Sequence, residues 1–252
     1  MKENKGKLHY AWWIVLSCCA LMTAGVAIPL NCAGLFYVPV SQALGVGTGP
    51  ISFYMTIQYI VIALFLPLAG KILVEKNIRV VLTTAVVLDV VAFGAMGFYK
   101  SLYQFYISGI LLGIAGTFIV YLSVPFLINH WFKEKVGLAM GISYTCIGLG
   151  GVVFSPLSGY MIDIWGWQTA YLVLAVMIGV IALPFTLFVI RKKPSDMGLA
   201  PYGNGQQENQ MKNNTPLQNS GVSKARALHS GSFYLAFFFA GLLGLIATIY
   251  FH

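Results

Sequence analysis

Six apolar runs, each long enough to cross a bilayer, occupy most of this chain, and nearly all of its charges fall in or beside the gaps between them. The runs are Ala11 to Val38, Ile51 to Leu73, Val80 to Phe98, Tyr103 to Ile128, Gly137 to Ile162 and Trp167 to Ile190. A seventh starts near Ser232. A hydrocarbon core needs about 20 consecutive apolar residues per helix, so these runs predict membrane spans and not the core of a soluble domain. Composition agrees, with 58% hydrophobic and only 9% charged residues, against about 25% charged in soluble domains. The expected fold is an all-α, multi-spanning membrane protein, with a tail at 1–10, a six-helix bundle at 11–190, a flexible linker at 191–231 and a truncated seventh span at 232–252.

The order of the charges sets a topology. Of the 15 Lys and Arg residues, all but Lys100 lie at the N-terminus or in every second gap: Lys2, Lys5 and Lys7, then Lys71, Lys76 and Arg79, then Lys133 and Lys135, then Arg191 to Lys193, Lys212, Lys224 and Arg226. This alternation places the N-terminus and the 191–231 segment in the cytoplasm. The formal charge of +8 is thus explained by topology and gives no reason to expect a nucleic-acid partner. The first apolar run is about twice the length of a signal-peptide core and has no clear cleavage site, so it is expected to remain. Cys18, Cys19, Cys32 and Cys146 all fall within spans, where they suggest neither disulfides nor a metal site.

Pro67-Leu68-Ala69-Gly70 and Pro156-Leu157-Ser158-Gly159 match at one offset that Thr56 and Thr145 also keep. Three spans separate the copies, so the second enters the membrane from the opposite side, giving the 3+3 inverted repeat of secondary transporters.

At these residues a family resemblance appears. Gly70-Lys71-Ile72-Leu73-Val74-Glu75-Lys76-Asn77-Ile78-Arg79 resembles the loop after the second span in the major facilitator superfamily, although Val74 stands where that family has an acid and Glu75 sits one place later. Trp131 to Ile142 and Trp165 to Tyr171 resemble segments of its monocarboxylate-porter and oxalate/formate-antiporter branches, with Gln168 where Arg is usual. Lys193 to Gly203 resembles the segment after span six in the oxalate/formate type. The resemblance implies a conformational loop motif at Gly70, Glu75, Lys76 and Arg79, whose charges would pair with helix ends in one state and release them in another. Read as charges alone, the same residues only set topology.

Gly148, Gly150, Gly151, Pro156 and Gly159 form a helix-packing motif, since small residues let helix backbones approach and a proline weakens the helical ladder. The resemblance leans this span toward a moving element. Asp89 is the one acid deep within a span, and intramembrane carboxyl groups mark ion or proton pathways. It is a candidate for proton coupling, the other reading being a hydrogen bond between helices. The resemblance also implies that spans one and four line a substrate path, which makes Thr23, Asn31, Thr117, Tyr121 and Asn129 candidates, each of them alternatively a contact between helices.

The expected function is that of the N-terminal half of a secondary transporter. It would move a small organic anion, such as a monocarboxylate or dicarboxylate, by alternating access as antiporter or symporter, inactive alone and completed by a C-terminal six-helix half. Its partners would be the lipid bilayer of the cell membrane, the solute and protons. No catalytic residue, metal or cofactor is expected: HExxH, paired acids and Ser-Lys or Ser-His sets are absent from the spans, which argues against an enzyme. The alternative is a seven-span channel, receptor-like protein or half-transporter that needs a partner.

Overall fold

In lipid a backbone must satisfy its own hydrogen bonds, and a helix does so within one segment. The computed structural model describes residues 9–203 together with 231, 234, 235, 238, 239 and 242. The predicted spans are helices, somewhat longer than the apolar runs. Span two is Thr48–Glu75, span three Ile78–Phe98 and span four Leu102–Trp131. Spans five and six run continuously from Val136 to Val189 and are divided at Gly166, whose φ of 78° and ψ of 161° break the helix. That conformation is almost exclusive to glycine, which explains how one residue reverses the chain between Trp165 and Trp167.

Span one differs from the expected single run over Ala11 to Val38. It is a helix over Tyr10–Asn31, then a break at Cys32 and a second helix over Ala33–Leu44. Gly45, at φ 66°, ends that helix in the left-handed conformation. Within the first helix, Thr23–Asn31 is π-helical around Pro29. A second π-helical segment, Thr117–Leu122, lies in span four ahead of Pro125, and a third, Phe185–Val189, follows Pro184 in span six. Proline has no N–H for the carbonyl four residues earlier, and wider turns relieve the resulting mismatch.

Tyr54, Tyr171, Phe36, Phe93, Phe105, Trp131 and Phe132 are the largest fully buried side chains among the described residues. Phe36 stacks on Tyr171 with ring centroids 4.0 Å apart, tying the end of span one to span six.

Residues 191–203, expected as the start of a flexible linker, are instead held on the bundle. Pro194–Met197 forms a 3-10 turn, and Tyr202 forms a parallel bridge with Phe132. The reason is aromatic: Tyr202 sits against His9, Trp12 and Phe132, with ring centroids 5.6, 6.1 and 5.5 Å away. Residues 1–8 of the expected tail and 204–230 of the expected linker lie outside the described residues. Of the expected seventh span, 234, 235, 238, 239 and 242 are described, and they are helical.

Candidate functional site

Spans one and five are joined by side chains that reach across to backbone. The Thr23 hydroxyl donates to the Cys146 carbonyl at 3.4 Å, and Asn31 Nδ2 donates to the Ile147 carbonyl at 3.3 Å. The Cys19 thiol donates to the Ile142 carbonyl at 3.8 Å. Close approach is possible because Gly150 and Gly151 lie opposite. A Cβ on Gly150 would be 2.5 Å from the Ala27 Cβ, and one on Gly151 would be 2.7 Å from Asn31 Nδ2. Gly148 and Gly159 of the same motif face open space.

Thr23 and Asn31 are therefore engaged in holding two helices together. Thr117 is fully buried, and its hydroxyl donates to the Gly113 carbonyl one turn earlier at 2.8 Å. Asn129 is exposed near the end of span four. Tyr121, in the π-helical segment of span four, is the candidate that combines a place in mid-span with an open face, at 43% exposure.

Tyr121 has company that the sequence did not suggest. Tyr59 of span two, 48% exposed, lies close enough to Tyr121 to interact electrostatically with it. Tyr59 is likewise within range of Tyr37, at the end of span one. Tyr37 in turn packs edge-on against Tyr54 at 6.3 Å and donates its hydroxyl to Met55 Sδ. Three spans thus bring phenol groups to one region. No periodicity flags this cluster, because Tyr54 and Tyr59 are five residues apart and the remaining contacts are between helices.

Asp89 is 2% exposed, and its Oδ2 has no hydrogen-bond partner among the described residues. A buried polar atom normally has one, so this carboxyl stands apart from ordinary helix-to-helix contacts.

The loop after span two is organised by helix ends. Asn77 caps span three by accepting from the Arg79 N–H at 3.1 Å. The Arg79 guanidinium donates to the Leu187 carbonyl at the close of span six, while its Nε is buried without a partner among the described residues. The Lys192 ammonium donates to the carbonyls of Val74 and Lys76, the latter at 3.4 Å. Cations at the C-terminal ends of helices are favoured by the helix dipole. Glu75 is exposed as the last residue of span two, and Gly70 has open space beside it.

Five helices among the described residues are long and apolar enough to cross a membrane, which defines a polytopic membrane protein. The sequence profile of the Major Facilitator Superfamily matches residues 13–252. The chain belongs to that superfamily, a family of transporters and not of enzymes. It is 26% identical over 189 residues to the oxalate:formate antiporter of Oxalobacter formigenes, covering 75% of this chain and 44% of that protein. Monocarboxylate transporter 13 of Rattus norvegicus is 24% identical over 166 residues, 66% of this chain and 39% of its own length. An uncharacterized MFS-type transporter, YcxA of Bacillus subtilis (strain 168), is 23% identical over 183 residues, covering 72% and 45%. The chain spans less than half the length of these relatives.

Proposed function

We propose that this bundle is one half of a secondary transporter that moves a small organic anion, a monocarboxylate or dicarboxylate, by alternating access against a second six-helix bundle. In this reading it lies in the cell membrane with its N-terminus and the 191–231 segment in the cytoplasm, an orientation supported by the distribution of Lys and Arg. The names of two relatives, an oxalate:formate antiporter and a monocarboxylate transporter, support the solute class. The share of their length that the chain covers supports the need for a second bundle.

The observation that carries the reading is the position of Tyr121. It is exposed, within electrostatic range of Tyr59, and in a π-helical segment, and such segments are frequent at functional sites. Phenol hydroxyls donate hydrogen bonds to a carboxylate without adding charge to the membrane interior. A cation to balance the solute would then come from the second bundle. The glycine-lined contact of spans one and five, and the loop at Gly70, Glu75, Lys76 and Arg79, are proposed as the elements that shift between states. Asp89 is proposed as the proton-carrying group.

The test is counterflow in proteoliposomes made with the product of the complete reading frame. Labelled formate, oxalate or lactate should enter faster when the same or another carboxylate is preloaded. Uptake of all three that is indifferent to preloading would overturn the reading.

A further inference from the structure

Beside the loop after span two, a groove of about 430 Å³ opens between spans two, three and four. Its mouth is at Lys76 and Asn77, its floor includes Ala115 and Phe118, and Val80, Thr84 and Leu88 mark its course along span three. Val80 is 63% exposed and Thr84 is exposed, so the groove opens on the outer surface of the bundle. From Asn77 to Leu88 a helix rises about 16 Å, roughly half of a 30 Å hydrocarbon core. The groove therefore follows one leaflet, from the boundary at the basic end of the bundle to the midplane.

Its two ends differ in chemistry. Below Asn77 the walls are almost wholly apolar, with Thr84 as the one hydroxyl, and water in such a space would have few partners. At the mouth, the Lys76 side chain has no hydrogen-bond or ion-pair partner among the described residues. The Lys192 ammonium is held nearby on the carbonyls of Val74 and Lys76. Glu75 is the neighbouring carboxylate and is exposed.

We propose that this groove is a binding site for an acidic phospholipid of the leaflet at the basic end, with one acyl chain along Val80, Thr84 and Leu88 and the phosphate at Lys76 and Lys192. Length and charge together select this occupant. An acyl chain matches an apolar channel one leaflet deep, and basic residues at a membrane boundary attract anionic headgroups. A zwitterionic lipid would fill the channel and offer the same phosphate, but its own ammonium group would offset that charge beside the two cations, so the net-anionic headgroup is favoured.

Native mass spectrometry of the purified, delipidated chain, supplied with phosphatidylglycerol or with phosphatidylcholine of identical chains, tests the site. Phosphatidylglycerol is expected to be retained about fivefold more, a factor set by one cationic contact near an anionic headgroup. Lys76→Gln should remove that preference and Lys76→Arg should restore it. Thr84→Trp should reduce retention of both lipids by filling the channel, and Lys100→Gln, a change of equal charge elsewhere, should leave retention as it was. Lys76 and Thr84 are both exposed, so neither substitution disturbs the core. Equal retention of the two lipids by the unaltered chain would overturn the proposal. So would undiminished phosphatidylglycerol in both Lys76→Gln and Thr84→Trp, or a dimer that Thr84→Trp disrupts without any change in bound lipid.

Discussion

Gly25 and Ile119 meet where the π-helical segments of spans one and four face each other: a Cβ added to Gly25 would lie 2.5 Å from Ile119 Cγ2. The two irregular stretches are thus fitted to one another at the level of single methyl groups. Gly25→Ala forces overpacking and should cost about 1–3 kcal/mol, read as a lower Tm in detergent. Ile119→Leu keeps the volume but carries no methyl on Cβ. In that background Gly25→Ala should cost less than about half as much, and the double-mutant cycle measures the difference.

Gly166→Ala tests the turn between spans five and six. At φ 78° and ψ 161° any side chain is strained, so the substitution should cost about 1–3 kcal/mol. An unchanged Tm would show that the turn relaxes into another conformation.

Thr23→Val and Tyr121→Phe should separate a packing role from a pathway role. The first removes a hydrogen bond between helices, worth about 0.6 kcal/mol in membrane proteins, and should lower Tm slightly. Tyr121→Phe removes a hydroxyl on an open face. It should leave Tm unchanged while raising KM for the carboxylate severalfold in counterflow.

Asp89→Asn replaces the carboxyl with a neutral group of the same shape. If Asp89 takes up the coupling proton, uptake by the variant should lose its pH dependence while Tm stays close to that of the unaltered chain. Uptake with both rate and pH profile unchanged would remove Asp89 from the mechanism.

The six spans were legible because a run of about 20 apolar residues has few alternatives to a membrane helix, and the short gap between Ile162 and Trp167 marked where the chain turns into span six. The break at Cys32 was not, since the apolar run passes through it and only Pro29 hints at an irregular helix. The engagement of Thr23 and Asn31 with the carbonyls of Cys146 and Ile147 depends on which faces of spans one and five meet, and no single-helix pattern encodes that. Hydroxyl and amide groups read alike whether they face a solute or a neighbouring helix. The cluster around Tyr121 and the hold on Tyr202 share this difficulty, because both are made from residues far apart in the chain.

Arg79→Gln should disturb the contact between the start of span three and the end of span six. The lost donor leaves the Leu187 carbonyl unpaired. A charge-assisted hydrogen bond contributes about 1.5–3 kcal/mol when shielded from water, and this one is exposed, so the expected drop in Tm is small. Lys192→Gln removes contacts that are likewise exposed and should have a similarly small effect.

The bridge between Phe132 and Tyr202 is made by peptide groups: the Tyr202 N–H donates to the Trp131 carbonyl at 2.8 Å, and the Lys133 N–H donates to the Tyr202 carbonyl at 2.9 Å. Peptide groups cannot be neutralised by a proton, shielded by salt or deleted by exchanging one side chain for another. The peptide hydrogen bonds of this seam are therefore indifferent to ionic strength, while the rings of Phe132 and Tyr202 still supply the packing that brings the two stretches of chain together. The seam parts only when the ribbon after span six is peeled away, and then both bonds go together.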